Sequence, residues 1–309
     1  MSAVRIFKDL TPYNKNTAVA LGYFDGLHLG HKAVIAKAVE AKSRGLVPAA
    51  FTFSSTPKSK DKNAQLLTND EKNTILEKLG IEVLYILDFE QLKDYSPEDF
   101  VSKIIKDVFT AEEVFCGFNY RFGKRKSGNT QTLEKLCKKE NIKVTVCNPV
   151  GLDGVVVCST EIRNRLKKGD IKSANKLLGY DFGLKSVSLP GRGIGSKIDT
   201  PTINQQFENG IILPKFGVYA SAVTLNGKTY AGVTNIGVKP TVGDRNLPNC
   251  ETWIPGFDGG DLHGQLVDVR LKEFIRPEKK FDNLDELKAA IKSDGKRAVE
   301  LLSKEQDYD

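Results

Sequence analysis

Two histidines, His28 and His31, stand three residues apart just after a glycine-punctuated stretch, Leu21-Gly22-Tyr23-Phe24-Asp25-Gly26-Leu27. The apolar run Ala18–Leu21 reads as a short buried strand, Gly22 and Gly26 break it, and from Leu29 the pattern turns helical. Residues three apart at a helix start share one side of its first turn. There the unpaired backbone N–H groups and the positive dipole end favour an anion. Gly22, Phe24, Asp25 and Gly26 thus read as the bend of a polyphosphate site, with His28 and His31 aimed into it. Imidazoles so placed can stabilise charge on a nucleotide phosphate passing through a five-coordinate transition state. If an incoming phosphate attacks directly, no nucleophilic side chain is needed. The chain holds three histidines in all, so chance placement of two on this turn is the weaker reading.

Ser159-Thr160-x-x-Arg163 supplies a complementary anion site: hydroxyls and N-terminal amides for phosphate oxygens, and a guanidinium one turn on. Alone, Ser-Thr before a helix is more often a cap; with the upstream histidines it gains weight. In the second half, Gly191-Arg192-Gly193-Ile194-Gly195-Ser196-Lys197 is a glycine-rich bend whose amides can close around phosphates, with Gly191, Gly193, Gly195 and Ser196 as the contacts. It is not a Walker loop. Thr202 and Asn204, two apart on an extended strand, point to one side as hard oxygen ligands for Mg²⁺. Glu251 can act as general base on a substrate hydroxyl. Taken alone, these second-half features read more readily as turn chemistry or a solvated carboxylate.

The elements that must carry these residues fall into two textures. From Thr17 to about Leu178, short apolar strands (Val19–Gly22, Val47–Phe53, Val83–Leu87, Val114–Gly117, Ile142–Cys147) alternate with helices (Lys32–Ser43, Asn69–Leu79, Pro97–Val108, Thr130–Glu140). Two further helices follow, from Ser159 and from about Asp170. Alternation implies a Rossmann-like parallel sheet covered on both faces, with ligands at the carboxyl ends of its strands. After Gly179, β-type runs (Lys185–Leu189, Val218–Leu225, Thr229–Val233, Leu266–Phe274) are separated by Gly, Pro and Asn turns. Asn226-Gly227 is a hairpin signal, and many short strands at this spacing suggest a small β-barrel. Leu284–Leu302 closes the chain as an amphipathic helix. The expected domains are 1–182 and 183–309.

At 309 residues, 40% hydrophobic and 28% charged, the composition is that of an ordinary two-domain globular protein. The net charge of +7 comes from scattered short basic runs, with no dense arm or aromatic platform for nucleic acid, and suits anionic small substrates. Five cysteines without a C-x-x-C pair argue against zinc and disulfides. The sequence carries no signal-peptide core and no apolar run of roughly 18 residues, so no membrane partner is expected and the expected location is the cytoplasm.

H-x-G-H followed far downstream by S-T-x-x-R resembles the nucleotidylyltransferase superfamily. Gly22–His31 together with Gly117-Phe118-Asn119-Tyr120-Arg121-Phe122-Gly123 is similar to the FAD synthetase module of bacterial bifunctional riboflavin kinase/FAD synthetases. That resemblance implies that Asn119 contacts the flavin or the nucleotide, and that Arg121 and Phe122 contact or shape the flavin pocket. In the second half, the glycine-rich loop, Pro201-Thr202-Ile203-Asn204, Asn235-Ile236-Gly237, Glu251 and Ile275-Arg276-Pro277-Glu278 resemble a riboflavin kinase domain. By that likeness Thr202 and Asn204 bind metal and ATP phosphates, and Glu251 activates the ribityl 5′-hydroxyl. The resemblance implies riboflavin, FMN and ATP as substrates, Mg²⁺ as cofactor, and both activities. Two rivals stay open: an enzyme retaining only one activity, the kinase first, and a catalytically inactive flavin- or nucleotide-binding regulator. The sequence leaves the oligomeric state open. The chain departs from the family at Tyr23 (Asn is usual), Ser55-Thr56-Pro57, Asp199-Thr200, Trp253 (His is common) and His263.

Overall fold

Two rhythms of side-chain burial build two separate sheets. The computed structural model describes residues 4–54, 64–191, 200–238, 248–258, 260 and 262–306. The expected phosphate contacts Gly193, Gly195 and Ser196, the segment Ser55-Thr56-Pro57 and Asp199 lie outside the described residues. The chain divides into two compact units, Met1–Ser159 and Thr160–Asp309.

The first unit runs β1 (Arg5–Phe7), β2 (Thr17–Leu21), α1 (Leu29–Glu40), β3 (Val47–Phe53), α2 (Asn69–Lys78), β4 (Val83–Leu87), α3 (Phe89–Leu92) and α4 (Pro97–Asp99). It continues with β5 (Ala111–Gly117), α5 (Thr130–Lys139), β6 (Lys143–Cys147) and a small hairpin, β7 (Gly151–Leu152) with β8 (Val155–Val156). Strands β1 to β6 form one parallel sheet in the order β1-β4-β3-β2-β5-β6. Every residue of β2 and β4 is buried, as a sheet covered on both faces requires. Strand β2 leads to β3 and β4 on one side, and the chain later returns to lay β5 on the other. The order therefore reverses between β2 and β5, and the loops leaving their carboxyl ends open a crevice. Both first-half motifs, Gly22–His31 and Gly117–Gly123, leave the sheet at that point.

Caps fix the helices. Thr68 forms a full capping box with Glu71 on α2, and Asn129 caps α5. The helix expected over 97–108 takes a different form. After one α-turn capped by Ser96 it is π-helical from Phe100 to Val108, closing with Phe109 N–H donating to the Ile104 carbonyl at 2.9 Å. The wider winding turns Phe100, Val101, Ile104, Ile105 and Val108 into the core together.

The second unit holds α6 (Ser159–Lys168, whose first residue belongs to the first unit), α7 (Ile171–Leu178), β9 (Gly183–Val187), β10 (Thr202–Gln205), β11 (Gly217–Leu225) and β12 (Lys228–Val238). It ends with β13 (Pro248–Trp253), β14 (Leu266–Arg276) and α8 (Leu284–Gln306). The six strands form an antiparallel sheet ordered β10-β13-β12-β11-β14-β9. Its edges meet. Leu189 N–H donates to the Asn204 carbonyl at 2.7 Å, and Gln205 Nε2 donates to the Ser186 and Val267 carbonyls at 2.9 Å each. The sheet thus curls into the expected small barrel. Asn226 and Gly227 both take positive φ in the turn joining β11 to β12, as an Asn-Gly hairpin requires. Strand β12 runs five residues past the expected Val233, and β13 was not expected as a strand; its proline occupies the first position, where no ladder bond is lost.

Candidate functional site

The turn after β2 is held in a conformation that ordinary residues avoid. Phe24, Gly26 and Leu27 take φ of 52°, 80° and 36°, and Phe24 and Leu27 are buried. Gly22 must be glycine because a Cβ there would sit 2.7 Å from the Phe24 ring, which folds back over it. The Asp25 carboxylate accepts the Leu66 N–H at 2.8 Å, tying the bend to the start of the α2 region. His28 is the N-cap of α1: its Nδ1 accepts the His31 N–H at 3.3 Å. An accepting Nδ1 fixes the tautomer, so Nε2 carries the proton and remains a donor. The two imidazoles stack, with centroids 3.6 Å apart and an interplanar angle of 17°. Gly30 leaves room for this, since a Cβ there would lie 3.2 Å from the His28 ring. Burial first, then His28 and Lys72, hold the His31 pKa well below its ordinary 6.5, so His31 is neutral. Among the described residues its Nδ1 is a buried polar atom with no partner.

Lys72 is the residue that sequence reasoning missed. Its side chain is buried, and Nζ donates to the Phe53 carbonyl at 3.2 Å and to Thr52 Oγ1 at 3.4 Å. It also lies 5.4 Å from the centroid of Tyr23. Burial lowers its pKa from 10.5 to about 8, against the opposing pull of Asp25. The available signal was its place on the inward face of α2, one turn before buried Leu76. Tyr23 is bound into the same cluster. Its hydroxyl accepts from Gln65 Nε2 at 2.8 Å and its carbonyl accepts from Thr52 Oγ1 at 2.7 Å.

Ser159 joins the downstream motif to the turn, its hydroxyl donating to the Asp25 carbonyl at 3.0 Å. Thr160, exposed, and Arg163, half-buried, follow on α6 in the second unit. In the loop after β5, Asn119 and Arg121 are exposed at the carboxyl edge of the sheet. Phe122 is buried, its ring 5.4 Å from Phe100 and 5.8 Å from Tyr120, and it braces the loop through paired backbone bonds with Gly128. Phe118, next to Asn119, leaves 49% of its surface exposed, a large aromatic open to a ligand at the switch point.

In the second unit, register does the assembling. Asn204 pairs with Glu251, Glu251 with Asn235, Asn235 with Val218 and Val218 with Arg276, so these five side chains share one face. The next row on that face carries Thr202, Trp253, Val233 and Ala220. The opposite face fills the barrel, where Ser221, Thr234 and Thr252 hydroxyls form a buried ladder at 2.7 and 2.9 Å. The candidate site is therefore outside the barrel, under α8.

A cavity of about 280 Å³ lies there. Val218, Val233, Trp253, Phe281, Leu287 and Ile291 form its apolar wall, and Thr200, Thr202, Asn235, Glu251, Glu278 and Asp294 bring polar groups into it. Asn249 Nδ2 donates to the Glu251 carboxylate at 2.9 Å, and Asn235 Nδ2 to that of Glu278 at 3.3 Å. Arg276 and Asp294 clamp β14 to α8 with bonds of 2.8 to 3.2 Å. Thr202 and Glu251 line this cavity together; Asn204 does not, its amide donating to the Thr202 carbonyl at 3.3 Å beside Gly191. His263 is exposed and also outside the lining. Thr202 and Asn204 offer neutral hard oxygens two residues apart on β10, the donor chemistry of an ion that takes its other ligands from phosphates and water, though only Thr202 lines the cavity.

The FAD synthetase family pattern matches residues 10–161 and the riboflavin kinase pattern residues 178–302. Bifunctional riboflavin kinase/FMN adenylyltransferases from Listeria monocytogenes and Bacillus subtilis are each 32% identical. The alignments cover 94% of both chains for the first and 93% of both for the second. A crystal structure described as a macrolide-efflux protein from Streptococcus pneumoniae superposes with a TM-score of 0.86 at 28% identity, covering 96% of this chain and 98% of that one. No helix among the described residues is long and apolar enough to cross a membrane.

Proposed function

Because this chain belongs to the family of bifunctional riboflavin kinase/FMN adenylyltransferases, we propose that its second unit phosphorylates riboflavin to FMN and its first adenylylates FMN to FAD. The observation that carries the reading is the presence of two dissimilar candidate sites in one chain. One is a dyad of stacked imidazoles on a strained turn, the other a carboxylate-bearing cavity on the outer wall of a barrel.

In the kinase step Glu251 takes the proton of the ribityl 5′-hydroxyl, whose oxygen then attacks the γ-phosphorus of ATP and releases ADP. Asn249 orients the Glu251 carboxylate. Thr202 and Asn204 are the residues that would hold Mg²⁺, and Gly191, Gly193, Gly195 and Ser196 would meet the phosphates. The ion, when bound, neutralises phosphate charge.

In the adenylylation step a phosphate oxygen of FMN attacks the α-phosphorus of a second ATP, and the bond to the β-phosphate oxygen breaks to release pyrophosphate. His28 donates from Nε2 to the charge that builds on the α-phosphate, and neutral His31 stands stacked beside it. Gly22, Phe24, Asp25 and Gly26 form the turn, Ser159, Thr160 and Arg163 hold the outer phosphates, and Asn119, Arg121 and Phe122 border the flavin.

We place the functional division at 182/183, with 1–182 for adenylylation and 183–309 for the kinase; the two family matches, 10–161 and 178–302, leave their gap somewhat earlier in the chain. The cytoplasm is the proposed location, supported by five unbridged cysteines. The test supplies purified protein with ATP and Mg²⁺, once with riboflavin and once with FMN. Chromatography should show FMN then FAD in the first, and FAD with pyrophosphate in the second. FMN without FAD would leave a kinase alone, and neither product would leave a binding protein.

A further inference from the structure

Lys72 is an ammonium buried beside the turn after β2, with 4% of its surface exposed. Among the described residues its hydrogen-bond partners are two neutral oxygens, the Thr52 hydroxyl and the Phe53 carbonyl, and no carboxylate lies within bonding distance. Burying a charge on neutral acceptors is costly. Leu76, one turn on and also buried, carries no such cost. A fold that keeps the ammonium there has a use for it.

The direction of the bonds says which use. An ammonium only donates. Its proton occupies a lone pair of Thr52 Oγ1, which leaves the single Thr52 proton for the Tyr23 carbonyl at 2.7 Å. Lys72, Thr52 and Tyr23 thus form one relay, in which a charged first donor strengthens the second bond. Lys72 Nζ also lies 5.4 Å from the Tyr23 ring centroid, so the residue is held by its backbone and by its ring. Tyr23 opens the strained segment. Phe24, next to it, takes a φ of 52° and sets its ring edge-on against His31, 5.5 Å between centroids. Backbone held in such a conformation keeps it only while its surroundings fix it.

We propose that Lys72 is a positioning residue of the adenylylation site: acting through Thr52 and Tyr23, its ammonium holds the strained turn that places His31 beside His28. This rests on the adenylylation reading of the first unit. The role needs no contact with a ligand, as suits a buried side chain. The ionisable groups facing Lys72 are Tyr23 and Asp25 on the turn and His31 on α1, while β3 presents the neutral Thr52 and Phe53. Burial brings the Lys72 pKa to about 8, so the relay loses its charged donor as pH rises past that value.

The test measures FAD formation from supplied FMN in Lys72→Met, which keeps the length and removes the ammonium, in Thr52→Val, which removes the middle hydroxyl, and in the double variant. Each single change should lower kcat about 10-fold with the KM for FMN and for ATP nearly unchanged. The double variant should lose no more than the worse single one, since both changes break one relay. Wild-type kcat/KM for ATP should fall as pH rises through about 8, and Lys72→Met should lack that fall. Continued protection of the β2 and β3 amides from hydrogen exchange reports that the first unit of Lys72→Met is folded; if protection is lost, Thr52→Val and the wild-type pH profile decide. Wild-type kcat in folded Lys72→Met or in Thr52→Val, losses that multiply in the double variant, or a wild-type profile flat through pH 8 overturns the inference. A wild-type protein that forms no FAD from FMN overturns the adenylylation reading instead, and the inference with it.

Discussion

His28 performs two tasks with one ring. Its Nδ1 caps the start of α1 by accepting the His31 N–H, and that bond leaves Nε2 as the ring's donor, which we propose meets the α-phosphate. His28→Ala is predicted to lower FAD formation from FMN by about 10²–10³-fold while leaving FMN formation intact, measured by chromatography of each product. The His-x-Gly-His spacing made this pair legible in the sequence, because three residues on a helix start can point only one way. Lys72 was not legible: a lysine on a helix is ordinarily solvated, and only the fold turns this one onto Thr52, Phe53 and Tyr23. Its pKa falls from 10.5 to about 8, so between those values the unfolded chain binds more protons than the folded one. The penalty on folding is therefore complete below about pH 8 and fades as pH rises toward 10.5. Between about pH 7.5 and about pH 10, the stability of wild type relative to Lys72→Met should rise by roughly 1–3 kcal/mol. Urea unfolding followed by hydrogen exchange in β3 would measure it; a flat difference would contradict a desolvated ammonium.

Helix α8 is the element on which the kinase cavity depends, since it supplies Leu287, Ile291 and Asp294 to the lining and covers Trp253. Gly295→Val places branched carbon where the indole sits. It is predicted to cost about 1–3 kcal/mol through overpacking, to weaken riboflavin phosphorylation and to spare FAD formation from FMN. Thermal unfolding together with the two product assays would separate these effects. The helix was readable from its amphipathic pattern, and so were the strands whose apolar residues alternate or run together. Strand β13 was not, because Pro248-Asn249-Cys250-Glu251 carries turn-forming residues and becomes a strand only by pairing with β10 and β12 on either side. That pairing also sets Glu251 between Asn204 and Asn235, a long-range register that local spacing does not encode.

At the scale of the whole molecule, a parallel α/β sheet and a curled antiparallel sheet stand in one chain, and each carries the core of one proposed site. The alternation of texture before and after Gly179 made both architectures legible, since buried parallel strands and short alternating ones leave different patterns. The cavity outside the barrel was hidden, because it is made by a helix folding back over strands far away in sequence. We propose that the two chemistries are independent, one resting on His28 and the other on Glu251, with FMN as the diffusible link. Mixing two inactivated proteins tests it directly. Given riboflavin, ATP and Mg²⁺, His28→Ala alone should stop at FMN and Glu251→Gln alone should make almost nothing. The two combined should yield FAD. If the mixture forms no FAD while Glu251→Gln still converts supplied FMN, the two sites are not independent and the account is wrong.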